Sequence, residues 1–317
     1  SPTDKWGTKT EYTKLRKFLQ KDGYIRIAPE VFMRVVQNRK KVMLFDLSNL
    51  IMRCLFAYPV KPHEKEFKEF KAIFMRSFLK TIKDNCPEKI ICCMDNTSWR
   101  KDVSESYKEN RKAFRAKSIV DFDVFFPISN KLIEALKDCA PNIQFLDVPK
   151  CEADDLIAVI TRSNPDWDII NISTDHDFYQ LYKFPNYKQY DGMMHNYVEV
   201  LNPEHELMKK IILGDKSDNI PKLKARVGKV TVAKIIDAGV DQWLEENNLK
   251  EKFMENFKLI SFDCIPQMYV EDINDAVKSF KPGNFSGKKF TQFVINEGMT
   301  DIFEKVDLNA FKGKTVR

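Results

Sequence analysis

Hydrophobic positions along this chain change their pattern near residue 41. Residues 1–40 are basic and weakly amphipathic, with Leu15, Phe18 and Leu19 at helical spacing, and read as an N-terminal extension carrying a helix or two. From Lys41 onward, apolar runs of strand length at 42–45, 90–94, 143–146 and 169–172 alternate with helical patterns at 67–82, 128–136 and 156–161. That alternation predicts βα units, hence an α/β domain over 41–200 with a mainly parallel sheet and flanking helices. Beyond residue 200 no strand series continues. Residues 201–317 read as mostly helical, broken by Gly214, Gly228, Gly239 and a Pro282-Gly283 turn.

The strand runs share one feature that periodicity does not require. The first ends in Asp46, the second in Asp95, and the fourth reaches Asp175 and Asp177 after Ser173-Thr174. The third leads through Asp147 into Cys151-Glu152-Ala153-Asp154-Asp155, which opens an apolar helix. Parallel strands finish at one edge, where open α/β sheets place their sites. Each acid alone is explained as a turn residue or helix cap. Four such deliveries to one edge are not, because crowded carboxylates raise one another's pKa and oppose folding unless cations neutralise them. Oxygen-only donors select hard ions, so magnesium or manganese is implied rather than zinc. Glu152 and Asp155 share a helix face while Asp154 lies about 100° round, so the three address one centre only from the opening turn. Asp154 is therefore expected as a direct ligand, with Glu152 and Asp155 direct or through water. His176, between two site acids, is expected to point away. Cys92 and Cys93 are expected in the core, and Cys151 has no evident partner histidine.

Composition narrows the class. The 317 residues allow about two domains, and no apolar run approaches the ~18 residues of a membrane span. Seven cysteines without a CxxC pair indicate neither a disulfide framework nor a thiolate-zinc site; with no signal-peptide pattern at the start, a reducing cytoplasm is the expected compartment. Net charge is +6, yet residues 1–41 alone hold eleven basic and four acidic residues, leaving the remainder at −1. Two segments are strongly basic: 97–117, with seven basic and three acidic residues, and 209–234, with eight and two. Lys108, Arg111, Lys112 and Arg115 fall at the spacing of one helix face, with Tyr107 and Phe114 beside it, a pattern suited to a single-strand backbone. A solvated surface helix explains the same spacing.

Taken in order, the Asp after each of the first two strands, E-A-D-D, S-T-D-x-D and Gly214-Asp215-Lys216-Ser217-Asp218-Asn219-Ile220-Pro221 resemble the flap-endonuclease family of 5′ nucleases, which includes bacteriophage enzymes. The likeness covers about residues 41–310 and includes Tyr107-Lys108-x-Asn110-Arg111 and Asp263-x-Ile265-Pro266. It implies a PIN-like 5′ nuclease fold, a helical arch or clamp at about 97–117, and a helix-three-turn-helix motif in a helical DNA-binding part. One metal site would use Asp46, Asp95, Glu152 and Asp154, with Asp155 nearby; a second would use Asp175, Asp177, Asp215 and Asp218. Asp46, Asp95, Asp154 and Asp175 would carry catalysis, and Lys108 and Arg111 would stabilise charge on the scissile phosphate. Arg100, Tyr107, Lys108, Arg111, Lys112 and Arg115 would meet DNA from the arch, and Gly228, Lys229, Thr231 and Lys234 from the hairpin. That hairpin departs from the family pattern, since Arg226 replaces one usual glycine and Val230 stands where lysine is common. The departure puts a bound potassium ion there in question.

The resemblance further implies a monomeric, magnesium-dependent 5′-3′ exonuclease and flap endonuclease that removes RNA primers and flaps in DNA replication. Ribonuclease H activity belongs to that expectation. Its partners would be branched, nicked or flapped DNA, RNA-DNA duplex, and replication proteins such as a single-strand-binding protein or sliding clamp, with no membrane. A PIN-domain ribonuclease shares the acidic edge but usually lacks a segment like 214–234. A haloacid-dehalogenase-type phosphatase would want a second Asp where Ser48 stands, and a catalytically silent DNA-binding subunit would have no need of the acids. Setting the nine proposed ligands aside turns the −1 of residues 42–317 into +8, so an acidic centre within a basic surface accounts for the near-neutral total.

Overall fold

The computed structural model describes residues 39–302; the proposed N-terminal extension and residues 303–317 lie outside it. Through residue 197 the elements are β1 (Lys40–Asp46), α1 (Leu47–Leu55), α2 (Lys68–Asn85), β2 (Lys89–Cys93), α3 (Arg100–Val103), α4 (Asn110–Ala116), α5 (Phe122–Cys139), β3 (Gln144–Leu146), α6 (Ala153–Ser163), β4 (Trp167–Ile172), a 3-10 helix (His176–Lys183), β5 (Tyr187–Asp191) and β6 (Asn196–Tyr197). Then come α7 (Pro203–Leu213), α8 (Lys229–Ala238), α9 (Val240–Glu246), α10 (Lys250–Ile260), α11 (Gln267–Ser279) and α12 (Gly287–Asn296).

The sheet order is β3-β2-β1-β4-β5-β6, parallel throughout except for the antiparallel β5–β6 pair. A sheet covered on both faces needs strands apolar on both faces, and Val42, Met43, Leu44 and Phe45 are all fully buried. Their side chains alternate. Met43 and Phe45 join a cluster built from α1, α2, α5 and α12, while Val42 and Leu44 face α6, the 3-10 helix and α11. Full burial of each such side chain is worth roughly 1.5–3 kcal/mol.

Three findings extend the sequence picture. First, β5 and β6 lengthen the sheet beyond the four expected strands. β5 shows no apolar run because its centre holds Lys188 and Gln189, and the buried Gln189 amide donates to Ser173 O and Asp175 O, both at 2.9 Å. Secondly, α7 to α10 enclose a cluster of their own, around Ile212, Leu223, Val232, Ile235 and Leu244. Thirdly, the chain then returns to the sheet: Ile273 and Val277 of α11 pack on one face, Phe290 and Val294 of α12 on the other. Among the described residues no helix is long and apolar enough to cross a membrane.

Candidate metal centre

The strand order reverses between β1 and β4, the place where open α/β sheets leave a crevice at their carboxyl ends. Asp46 occupies it. Its carboxylate caps α1 by accepting from Asn49 N (3.1 Å) and also accepts from Ser173 Oγ (2.9 Å), so capping and site placement coincide. Burial, with the charges of Asp95 and Asp175 adding to it, pushes its pKa up to about 7. Asp95, just past β2, accepts from Ala153 N at 2.8 Å, and Asp175 caps the 3-10 helix through Asp177 N at 2.9 Å.

Two carboxylate triads lie beside this group. Glu152, Asp154 and Asp155 offer oxygens within 4.8 Å of one another, as do Asp177, Asp215 and Asp218. One small cavity is lined by Asp154 together with Asp177, Asp215 and Asp218, so the first triad reaches the second through Asp154. Asp155 is turned into the protein instead. It accepts from Glu152 N (3.0 Å) and Trp99 Nε1 (3.2 Å) and pairs with Arg100 Nη2 (2.9 Å). Burial alone would raise Glu152, but Lys108 and Arg100 override it and bring its pKa down to about 2. Asp154 moves the other way, well above the usual range, because desolvation and the Asp155 and Glu152 charges outweigh Arg100 and Lys108.

In the second triad Lys210 bridges Asp177 and Asp215, the latter at 2.8 Å. Burial would raise Asp215, yet Lys210 and Ser217 hold it at about 2. The turn carrying Asp215 and Asp218 is closed by paired backbone bonds between Asp215 and Ile220, at 2.9 and 2.7 Å. It requires Gly214, whose φ is +65° and where a Cβ would sit 2.4 Å from Ile220 O.

The basic segment is arranged differently from its heptad-like pattern. Helix α4 begins only at Asn110, and Lys108 has a left-handed φ of 58°, so Lys108 does not share a helix face with Arg111, Lys112 and Arg115. Arg100 and Tyr107, expected to meet DNA, are both buried. The Tyr107 hydroxyl donates to Glu152 (3.0 Å) and Asp218 (3.1 Å), and Arg100 donates to Glu152, Asp155 and Leu259 O. The physical reason is the acid beneath them: a cation and a hydroxyl offset carboxylates removed from water. Lys108 pairs with Glu152 and Arg111 with Asp218, while Lys112, Phe114 and Arg115 face solvent. In the hairpin Arg226 adopts a left-handed φ of 64° in the glycine's place, and Lys229, Thr231 and Lys234 are exposed around the Gly228 start of α8. His176 is exposed and stacks on Tyr179 at 4.7 Å, and Cys92, Cys93 and Cys151 are buried.

Lys210, Ser173, Gln180 and Asn256 were missed by sequence reasoning. Lys210 had a signal, one helical turn before the Gly-Asp turn in a basic stretch, and Ser173 opens the S-T-D-x-D motif; Gln180 and Asn256 sit in no motif.

Residues 41–211 match the family described as 5′-3′ exonuclease, N-terminal resolvase-like domain. The chain is similar to ribonuclease H of Enterobacteria phage T4, 34% identical over 230 residues, 65% of this chain and 74% of that protein. It is also similar to a 5′-3′ exonuclease of Bacillus subtilis, 25% identical over 246 residues, covering 70% and 76% of the two chains. In fold it resembles the bacteriophage T5 D15 flap endonuclease solved with DNA and metal ions, at a TM-score of 0.57 and 20% identity, over 84% of this chain and 99% of that one. The ordered acidic motifs, the PIN-like sheet and these likenesses agree: the chain belongs to the flap-endonuclease and 5′-3′ exonuclease family.

Proposed function

We propose that this chain is a magnesium-dependent, structure-selective 5′ nuclease that removes RNA primers and flaps by a two-metal mechanism. The observation that carries the reading is the set of carboxylates gathered at the switch point of the sheet, with both triads represented on one cavity. Their donor chemistry fits hard divalent ions. Every ligand atom is a carboxylate oxygen, and the raised Asp46 and Asp154 mark acids that the local lysines and arginines leave incompletely neutralised.

Asp46, Asp95, Glu152 and Asp154 would hold one ion; Asp175, Asp177, Asp215 and Asp218 would hold the other. Bound there, such ions supply an activated water and stabilise both the attacking and the leaving oxygen. Asp155 supports Glu152 from behind through Arg100. Lys108 and Arg111, at the mouth of the acidic centre, offset charge on the scissile phosphate. The exposed hairpin around Gly228, Lys229, Thr231 and Lys234 grips duplex phosphates without reading sequence. The relatives' names support the same activity: ribonuclease H, 5′-3′ exonuclease and flap endonuclease.

The test is cleavage of a 5′-labelled DNA flap, and of a 5′ RNA segment annealed to DNA, in magnesium and in EDTA. Wild type is expected to cut both only with the metal, and Asp154→Asn to cut neither. Equal cutting by the variant would refute the site assignment, and wild type inert on every branched or nicked substrate would refute the activity. Cutting of DNA but not of the RNA segment would remove primers from the substrate class.

A further inference from the structure

Helix ends leave carbonyls without intrahelical partners. At the end of α10 those groups are taken by Arg100, which also pairs with Glu152 and Asp155, and by Gln180, which shares its 3-10 helix with Asp177. Leu259 O accepts from Arg100 Nε (2.8 Å), and Ile260 O accepts from Gln180 Nε2 (3.1 Å). Phe262 N donates to Gln180 Oε1 (2.9 Å), and Gln180 Nε2 also donates to Asp177 O (3.0 Å). One turn earlier Asn256 Nδ2 donates to Ile211 O and Pro221 O, both at 2.9 Å. Ile211 and Pro221 flank the turn that carries Asp215 and Asp218. Arg100, Gln180 and Asn256 are 1%, 4% and 2% exposed.

Burying an amide is costly unless its bonds are made, and an apolar side chain of similar size would fill the same space without that cost. What apolar packing lacks is direction. The Gln180 carboxamide has one workable orientation, because its nitrogen faces two carbonyls and its oxygen an N–H. Asp177 arrives on the 3-10 helix and Asp215 and Asp218 on a turn after α7, yet each segment is tied to α10 by one buried amide.

We propose that Gln180 and Asn256 are positioning residues that set Asp177 against Asp215 and Asp218 through α10. This triad then binds a divalent ion as a unit. The Glu152–Asp154–Asp155 triad, tied to α10 separately through Arg100, does not depend on the two amides. The inference rests on the metal-dependent reading above.

The test is calorimetric titration of the full chain with manganese, comparing wild type, Asp215→Asn, Gln180→Met and Asn256→Leu, with thermal unfolding of each protein in EDTA. Wild type is expected to show two classes of binding and Asp215→Asn to lose one. Gln180→Met and Asn256→Leu are expected to weaken that same class by roughly 10–100-fold, the range typical of groups that orient metal ligands, and to leave the other class unchanged. Unfolding at a lower temperature with both classes intact would reduce the two amides to structural groups and overturn the proposal; so would equal weakening of both classes. If either variant fails to fold, Gln180→Asn and Asn256→Ser, which keep a donor, take its place with the same expected pattern at smaller amplitude. Wild type that binds no manganese refutes the metal-dependent reading itself, whereas wild-type binding with unaltered variants refutes only the role of the two amides.

Discussion

Replacing Arg100 with methionine removes a guanidinium that is 1% exposed and touches Glu152 at 3.1 Å, Asp155 at 2.9 Å and Leu259 O at 2.8 Å. Methionine keeps most of the volume, so the main loss is electrostatic. Breaking a buried ion pair from one side costs about 3–5 kcal/mol, because the partner carboxylate stays buried without its cation. The guanidinium also lies over the Trp99 ring at 4.7 Å, a contact worth about 0.5–2 kcal/mol. A loss of about 4 kcal/mol is a large part of the 5–15 kcal/mol that holds an ordinary domain together. Urea unfolding in EDTA measures it as a shift in midpoint at unchanged slope. The difference from wild type must also depend on pH. Glu152 is held at about 2 against an unfolded value near 4.3, so its contribution is fully present above that unfolded value and is lost as pH falls toward 2. The gap between the two proteins should therefore narrow from pH 5 to pH 2. A variant within about 1 kcal/mol of wild type at pH 7, with weakened DNA binding, would refute the reasoning and return Arg100 to the substrate-facing surface.

Four further outcomes are expected. Asp46, raised to about 7, holds a proton that a divalent ion must displace, so manganese affinity should climb as pH rises through 7, and Asp46→Asn should remove that part of the slope; calorimetry in buffers of different ionisation heat reads the released proton, and a flat profile between pH 6 and 8 contradicts it. In EDTA the same raised carboxyl makes the fold less stable as pH rises from about 4 to 7. Lys210→Met should let Asp215 climb from about 2 toward the usual carboxylate range, followed by carbon-13 NMR of its carboxyl; an unmoved titration would show that Lys210 is not its counter-ion. Gly214→Ala, at φ +65° with its new Cβ 2.4 Å from Ile220 O, should cost at least about 1–3 kcal/mol and disturb the Asp215 turn; a thermal transition within a degree of wild type would refute that geometry.

The readable part of this molecule is the part where one residue type serves one purpose. Val42 to Phe45 are apolar because both sheet faces are covered, and the acids that follow β1, β2 and β4 are visible because nothing apolar competes with them. β5 was hidden since its buried Gln189 serves the Asp175 loop, which puts a polar residue where a strand pattern wants an apolar one. The segment around Lys108 misled for a related reason. Its charges keep helical spacing, but the left-handed turn at Lys108 and the burial of Arg100 and Tyr107 answer to carboxylates more than forty positions away, which local periodicity cannot report. Helix α11 is recognisable as a helix, whereas its return to the sheet depends on what lies beneath it.

The strand order has a consequence for how the molecule comes to exist. The centre of the sheet is the β1–β4 pair, so Asp46 meets its partner Ser173 only across 127 positions of chain, and Arg100 meets Leu259 O across 159. Contacts of such long sequence separation close late and slow folding, because the intervening loop entropy is lost before they form. During synthesis, a chain that has emerged just past β2 already carries Asp46 and Asp95, yet Ser173 and Ala153, which bond their carboxylates, have still to be made. Asp177 and the Asp215–Asp218 turn are tied to α10 by buried amides, so a fragment ending before residue 250 would contain all nine carboxylates without the helix that joins these three.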